Sequence, residues 1–186
     1  MEFSQEQVWQ AVKAEAPKHG LDPWLVMALF EQESEHPNGD PTRYDARIPR
    51  LEENYMLRYV KPLGLSTVTT VLLSTSFGLP QMMGDSLRQA KDENGQNFFE
   101  WFRDITNAMY AYDENALSSL NVAAALDYFC VQLPLMVKWS CIWLAGKIKQ
   151  AGSVNGGLDD WNGDHTGAYR NQVLARIGKL KLALKA

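Results

Sequence analysis

The sequence predicts an all-α fold in a single domain, and three observations indicate it. Ser4 and Gln7 have the spacing of a capping box, which predicts a helix running to about Ala16. Asp22 and Pro23 have the order of an N-cap and a first helical residue, which predicts a second helix. The length of 186 residues suits one domain, and 46% hydrophobic beside 22% charged residues is typical of a chain that buries a core.

Loop signals divide the rest of the chain into further helical segments. Pro, Gly and Asp mark a loop over residues 38–49, and "SVNGGLDDWNGDHTG" marks a late loop over residues 153–167. Residues 64–81 are ambiguous, because their β-branched run favours a strand while their flanks favour a helix. We expect the remaining helices over residues 52–60, 84–93, 97–112, 120–132, 134–151 and 166–184.

Composition excludes several classes of function. A net charge of -4 gives no electrostatic footprint for nucleic acid. The most apolar stretch, residues 128–146, contains Gln132, Pro134 and Lys138, so it predicts a buried core helix and no stable membrane insertion. The three His and two Cys lack the spacing of metal ligands, and no phosphate loop or nucleophile elbow is present. We therefore expect no metal and no cofactor, and a monomer.

The stretch "FEQESEH" holds three carboxylates at the end of the second predicted helix. Leu25, Leu29 and Glu33 fall on one line of that helix, while Glu31 and Glu35 fall on another. Burial on the apolar line would raise the pKa of Glu33, and the negative end of the helix dipole acts in the same direction. A carboxyl held protonated near neutral pH is what general-acid cleavage of a glycosidic bond requires. Periodicity alone leaves open a glutamate that bends out to water.

Four short motifs follow one another along the chain. They are "LFEQES" at the end of the second helix, "SFGLPQMMG" at 76–84, "DWNGD" at 160–164 and "YRNQVL" at 169–174. In this order they resemble the Glu-Ser, Gly-Leu-Met-Gln, Ala-Tyr-Asn-Gly and late Tyr motifs of the bacterial lytic transglycosylases, which share the lysozyme-like fold with goose-type lysozymes. "TRYDARIPRLEENYMLRYV" also looks like the Arg-Tyr-Glu-Pro segment of phage and bacterial members. The resemblance covers most of residues 20–178 and implies roughly seven to nine helices around a substrate cleft.

The resemblance implies a role for each matching residue. Glu33 matches the catalytic acid/base that cleaves the bond between N-acetylmuramic acid and N-acetylglucosamine and leaves a 1,6-anhydro end. Plainer interpretations stay open: Gln81 as a capping amide, Asn162 in a turn, and Trp161 and Tyr169 as core aromatics. Trp143 is assigned to packing, together with Trp24, Trp101 and Trp139. The substrate-binding candidates are Tyr44, Ser76, Gln81, Trp161, Asn162 and Tyr169.

The chain also departs from the family pattern. Pro80 stands where the family has Met, Trp161 where it has Tyr, and Asp164 where it has Gly or Ala. Residues 1–19 form a helical N-terminal segment of the single 1–186 domain, and residues around 97–124 look like an insertion. These changes bear on substrate specificity more than on the presence of the acid.

Two other functions stay open. A hydrolytic muramidase on the same fold would use Asp40 or Asp45 to position water, and a non-catalytic wall-binding or virion structural protein could retain the fold. The start "MEFSQEQVWQ" has neither the basic nor the apolar region of a signal peptide. We therefore expect a phage endolysin, held in the host cytoplasm before release to the wall, or a virion-associated lysin. Its expected partner is the glycan strand of peptidoglycan.

Overall fold

The computed structural model describes residues 2–110 and 115–184, and helices make up most of that length. The helices are α1 Gln5–Glu15, α2 Pro23–Glu33, α3 Glu53–Tyr55, α4 Thr67–Leu73, α5 Gly84–Gln89, α6 Phe98–Tyr110, α7 Ser119–Val131, α8 Leu133–Ala151, α9 Val154–Asn162 and α10 Ala168–Ala183. The strands are β1 Glu2–Ser4, β2 Arg43–Asp45, β3 Arg50–Leu51, β4 Thr75–Phe77 and β5 Met82–Met83. The predicted helical class is confirmed in its coarse form, with ten helices in the described residues and two small sheets that were not predicted.

Local capping chemistry sets the first two helix starts. The Ser4 hydroxyl accepts from the Gln7 N–H at 3.1 Å, and the Gln7 side chain accepts from the Ser4 N–H at 2.8 Å. The Asp22 carboxylate accepts from the Trp24 N–H at 2.9 Å, with Pro23 as the first residue of α2. These contacts satisfy N–H groups that a helix start leaves without partners, so both predicted starts are confirmed.

The ambiguous segment 64–81 holds both kinds of structure. Ser66 caps α4, which ends at Leu73, and the chain then enters β4. A tight turn leads into β5, and β3 completes a three-stranded antiparallel sheet on the other edge of β4. This sheet places the hairpin of β4 and β5 beside the segment that follows α2.

The predicted late loop is wrong over residues 154–162, which form α9. The Ser153 hydroxyl accepts from the Gly156 N–H at 3.1 Å and so caps this helix. Gly157 and Leu158 are buried, and a Cβ on Gly157 would lie 2.4 Å from a side-chain carbon of Ile148 on α8. The glycines that suggested a loop therefore serve a close helix–helix approach.

The N-terminal segment is helical as predicted, except that it begins with a strand. β1 pairs antiparallel with β2, so that Phe3 lies opposite Tyr44. A further backbone bridge joins Glu35 to Asp45. Together these pairings hold the chain after α2 against the start of the molecule.

Two helix pairs position the residues that matter below. α10 packs along α2, and α9 packs along α8. The apolar stretch 128–146 contributes buried side chains to the core, among them Met136, Val137 and Trp139, as predicted. In the described part of the chain no single helix could cross a membrane by length and hydropathy, and only α7 with α8, bent by 105°, pass that test as a pair.

The predicted insertion around 97–124 contains α6 and the start of α7. Phe98 of α6 packs edge-on against Phe129 of α7 and Trp139 of α8, with ring centroids 5.5 Å apart in both pairs. This segment therefore shares the core of the helices around it. Residues 111–114, which include the predicted end of the 97–112 helix, lie outside the described residues.

Candidate active site

Glu33 is the last residue of α2 and is buried, with 8% of its surface exposed. Leu25 and Leu29, which precede it on the same line of the helix, are 4% and 0% exposed. The predicted burial of Glu33 is therefore confirmed. Glu35 lies beyond the helix end, where Ser34 has turned into extended backbone, and is exposed.

Tyr169, the second residue of α10, lies against the Glu33 carboxyl. Its hydroxyl donates to Glu33 Oε1, a contact made possible by the packing of α10 on α2. The Asp164 carboxylate accepts from the Tyr169 N–H and from the Thr166 N–H, both at 2.9 Å. Asp164 therefore fixes the start of α10.

The surroundings of Glu33 oppose its ionisation on balance. Burial raises the pKa of Glu33, while the hydrogen bond from Tyr169, the positive charge of Arg47 and the indole of Trp161 lower it in part. Burial and the neighbouring Glu33 also raise the pKa of the Tyr169 hydroxyl well above its ordinary value. Tyr169 therefore stays a hydrogen-bond donor while Glu33 can carry or release a proton.

A cleft of about 430 Å³ opens over Glu33, and we call it the central cleft. Its walls come from the end of α2, the segment around β3, the hairpin of β4 and β5, and the end of α9. Of the predicted site residues it brings together Glu33, Ser76, Gln81, Trp161 and Asn162, and Tyr169 contacts Glu33. The other lining residues are Glu35, Arg47, Ile48, Arg50, Glu52 and Met83.

Gln81 lines the central cleft, but its amide already holds the wall together. Its Nε2 donates to the Gly78 carbonyl at 2.9 Å and to the Arg47 carbonyl at 3.3 Å, and its Oε1 accepts from the Ser76 hydroxyl at 3.1 Å. Only the second lone pair of Oε1 is left for a ligand. Gln81 also has a φ of 47°, in the left-handed region that non-glycine residues rarely adopt.

Three predicted residues do not reach the central cleft. Tyr44 is fully buried, and its hydroxyl donates to Glu31 at 2.5 Å, so we leave it out of the substrate-binding set. Asp40 accepts from the Thr42 N–H and hydroxyl in a local turn. Asp45 accepts from the Ala46 N–H and joins Glu35 through its backbone. Pairing of β2 with β1 holds this segment against the start of the molecule.

Sequence reasoning missed several residues of the site. Arg47 lies beside Glu33, and its guanidinium donates to the Gln32 carbonyl at 2.8 Å. Glu35 and Glu52 are the other carboxylates that line the central cleft. Trp143 packs against the core, as predicted, and also lines a neighbouring cavity, which was not predicted. The segment 42–60 resembles the Arg-Tyr-Glu-Pro region, but that resemblance does not distinguish Arg47, which lines the cleft, from Tyr44, which is buried.

A larger cavity, of about 610 Å³, lies between the end of α1 and the middle of α8. Three acids line it, and each has local partners. Burial raises the pKa of Glu15, but hydrogen bonds and charge from Lys18 and His19 lower it below the ordinary value, which does not suit a proton donor near neutral pH. Asp92 accepts from the Asn94 and Gln96 N–H groups, and Glu93 lies 3.8 Å from the Lys138 ammonium. The central cleft is therefore the better candidate active site despite its smaller volume.

Comparison with known proteins assigns no family to this chain. No family model matches it, and no curated protein or solved structure matches it at a significant level. Within residues 2–110 and 115–184, no group of three or more His, Cys, Asp or Glu side chains could hold a metal ion. A function for the central cleft therefore has to be inferred from its own residues.

Proposed function

We propose that this chain is a peptidoglycan lytic transglycosylase with a lysozyme-like fold. It would cleave the β-1,4 bond between N-acetylmuramic acid and N-acetylglucosamine and leave 1,6-anhydromuramoyl ends. The observation that carries the proposal is the buried Glu33, whose raised pKa and open path to the central cleft suit a general acid. The order of the four sequence motifs supports the same reaction.

In the first step protonated Glu33 donates its proton to the glycosidic oxygen, and the bond from that oxygen to the muramoyl C1 breaks. The Tyr169 hydroxyl, which donates to Glu33 Oε1, stabilises the carboxylate that this transfer leaves behind. The N-acetyl group of the substrate stabilises the oxocarbenium-like centre at C1, as in substrate-assisted glycosidases.

In the second step the Glu33 carboxylate takes the proton of the muramoyl C6 hydroxyl. The C6 oxygen attacks C1 and closes the 1,6-anhydro ring, so Glu33 ends protonated and ready for the next turnover. One carboxyl group is sufficient for both steps. The desolvated position of Glu33 fits this double role, because it narrows the difference in free energy between its two protonation states near neutral pH.

The central cleft also contains groups suited to holding sugars. Asn162 is exposed at the end of α9 and offers an amide, and Trp161 offers an indole face beside Glu33. Gln81 contributes rigidity, because two of its hydrogen bonds hold the hairpin and the third joins it to the segment of Arg47. Ser76 acts through Gln81 rather than by direct binding.

Hydrolysis on the same site is the second candidate, because Glu35 and Glu52 also line the central cleft. Either carboxylate could activate a water molecule in place of the C6 hydroxyl. Asp40 and Asp45, the residues named for this role from the sequence, do not line the cleft. If the enzyme is a muramidase, the carboxylate that activates water is therefore Glu35 or Glu52.

Digestion of purified peptidoglycan, followed by mass spectrometry of the fragments, tests the proposal. Anhydro ends, which are lighter than reducing ends by one water, support the transglycosylase. Reducing ends from the wild-type protein would instead support a muramidase, and their loss in Glu35→Gln or Glu52→Gln would identify the water-activating group. If wild type and Glu33→Gln both leave the wall intact while still binding it, the chain is a wall-binding protein.

A further inference from the structure

A second cavity opens beside the central cleft, and we call it the side lobe. It has a volume of about 170 Å³ and shares Gln81, Met83, Trp161 and Asn162 with the central cleft as common walls. Its far wall is formed by α8. Because the two spaces share these four lining residues, the side lobe borders the space over Glu33 in which a sugar would lie.

Lys147 and Trp143 of α8 provide the charged part of the far wall. They are four residues apart, so they lie one helical turn from each other on the same face. The Lys147 ammonium lies 4.4 Å from the centroid of the Trp143 ring, within the range of a cation–π contact. This contact fixes the direction of a side chain that would otherwise sample many rotamers.

The Lys147 ammonium forms no ion pair with a carboxylate in the parts of the chain that the structure describes. Other lysines near this face of α8 differ in this respect. Lys91 pairs with Glu100 at 2.9 Å, and Lys138 pairs with Glu93 at 3.8 Å. Lys147 therefore presents a positioned cation to a cavity that borders the central cleft.

We infer that Lys147 binds a carboxylate carried by the muramoyl unit of the glycan strand, an inference that rests on the proposed function. N-acetylglucosamine is neutral, whereas muramic acid carries a lactyl group that ends in a carboxylate or in a peptide with carboxylates of its own. A cation beside the cleft thus distinguishes wall glycan from neutral polymers of N-acetylglucosamine. It also sets which sugar of the alternating strand stands over Glu33.

Asp160 provides a control variant whose expected effect on affinity is opposite to that of Lys147. Its carboxylate also lines the side lobe, on the α9 wall. A bound carboxylate is repelled by Asp160 and attracted by Lys147, so neutralising each residue should change affinity in opposite directions. A purely structural role for the lobe would not produce opposite signs.

Calorimetric titration of the Glu33→Gln protein tests the inference, because this background does not consume the ligand. The probes are a peptide-bearing muramoyl oligosaccharide, the same glycan without peptide, and a neutral N-acetylglucosamine oligomer. Adding Lys147→Gln should weaken binding of the carboxylate-bearing probes about three- to tenfold and leave the neutral probe unchanged. Lys147→Arg should restore binding, and Asp160→Asn should strengthen binding of the carboxylate-bearing probes. Lys149→Gln, on an exposed position of the same helix, is the matched control.

The two muramoyl probes separate the sources of the carboxylate. An effect of Lys147→Gln on the peptide-free probe alone assigns the contact to the lactyl carboxylate, which is an amide in the peptide-bearing probe. An effect on the peptide-bearing probe alone assigns it to the carboxylates of the peptide, and an effect on both shows that Lys147 binds either carboxylate. Equal weakening of all three probes, or no change in any, would overturn the inference. Wall digestion by the wild-type protein is scored in parallel, so a lost activity with charge-selective binding intact would reject only the proposed reaction.

Discussion

Two tyrosine–glutamate pairs lie two residues apart on α2 and have opposite surroundings. Glu31 accepts from the Tyr44 hydroxyl, and Glu33 accepts from the Tyr169 hydroxyl. Both tyrosines are buried. The hydrogen bond from tyrosine therefore does not show which of the two carboxyls could act as a catalytic acid.

Their other neighbours separate them. Glu31 lies 3.2 Å from His36 Nε2 and 3.7 Å from the Arg176 guanidinium, and it does not line the central cleft. Glu33 forms no ion pair with a cation in the described part of the chain, and it opens to that cleft. A carboxyl acts as an acid when its burial is only partly compensated and it lies beside a space for substrate, whereas a carboxyl surrounded by cations holds structure.

The largest expected difference between the pairs is in catalysis. Glu33→Gln keeps the shape of the side chain but cannot exchange a proton, so wall cleavage should fall by at least about 10²–10⁴-fold. Glu31→Gln should stay within a few-fold of wild type, because Glu31 does not face the cleft. Initial rates of release of soluble wall fragments measure both. Near-wild-type turnover of Glu33→Gln would remove Glu33 from the mechanism.

Removing the hydroxyl of each tyrosine should also have different effects: Tyr169→Phe on the pH–rate profile and Tyr44→Phe on stability. Tyr169→Phe removes a donor that lowers the pKa of Glu33, so that pKa should rise further and the alkaline limb of the pH–rate profile should move to higher pH. The maximal rate should fall about tenfold, because the carboxylate formed in the first step loses its hydrogen bond. Tyr44→Phe should leave the pH profile unchanged and lower the free energy of unfolding by about 1–2 kcal/mol. Identical pH profiles for the two variants would contradict the assignment of Tyr169.

Local rules predicted the parts of the fold that depend on short-range chemistry. The starts of α1 and α2 follow from Ser4 with Gln7 and from Asp22 with Pro23, because capping involves neighbours in sequence. The burial of Glu33 followed from helix periodicity. α9 was missed because its glycines have a use, close packing on α8, that only the tertiary structure reveals.

Non-local pairing accounts for what the sequence did not predict at the site. Tyr44 is buried because β2 pairs with β1, some forty residues earlier, and this pairing faces its ring inward toward Glu31. Arg47 reaches Glu33 because the same segment then turns toward the β4–β5 hairpin, where Gln81 binds its carbonyl. The spacing of residues within this segment does not show that Tyr44 is buried and that Arg47 lines the cleft.

A smaller effect is expected from the turn that positions Tyr169. Asp164 accepts from Thr166 and Tyr169, so Asp164→Ala should loosen the start of α10 and lower the cleavage rate about two- to fivefold, with little change in the pH profile. Asp40→Ala is the matched control, because Asp40 makes the same turn with Thr42 away from Glu33. An equal loss of rate in the two variants would show that the contact to Tyr169 has no special role, and would return Asp40 to consideration.

The smallest expected effect is on stability, and its sign distinguishes the two glutamates. Burial raises the pKa of Glu33 on folding, so ionisation costs stability as pH rises from the unfolded pKa through the folded pKa, and the cost persists above it. Each pKa unit of that rise lowers the free energy of unfolding at neutral pH by about 1.4 kcal/mol. Glu33→Gln should therefore stabilise the protein at pH 7 and change little near pH 3.

Glu31→Gln should instead destabilise at pH 7, because it removes the charge that Arg176 and His36 surround. Thermal unfolding of wild type and both variants from pH 3 to pH 8 measures the two signs. A Glu33→Gln protein less stable than wild type at pH 7 would mean that Tyr169, Trp161 and Arg47 together overcompensate burial. Glu33 would then be a second structural carboxylate, and the cleft above it would need another acid.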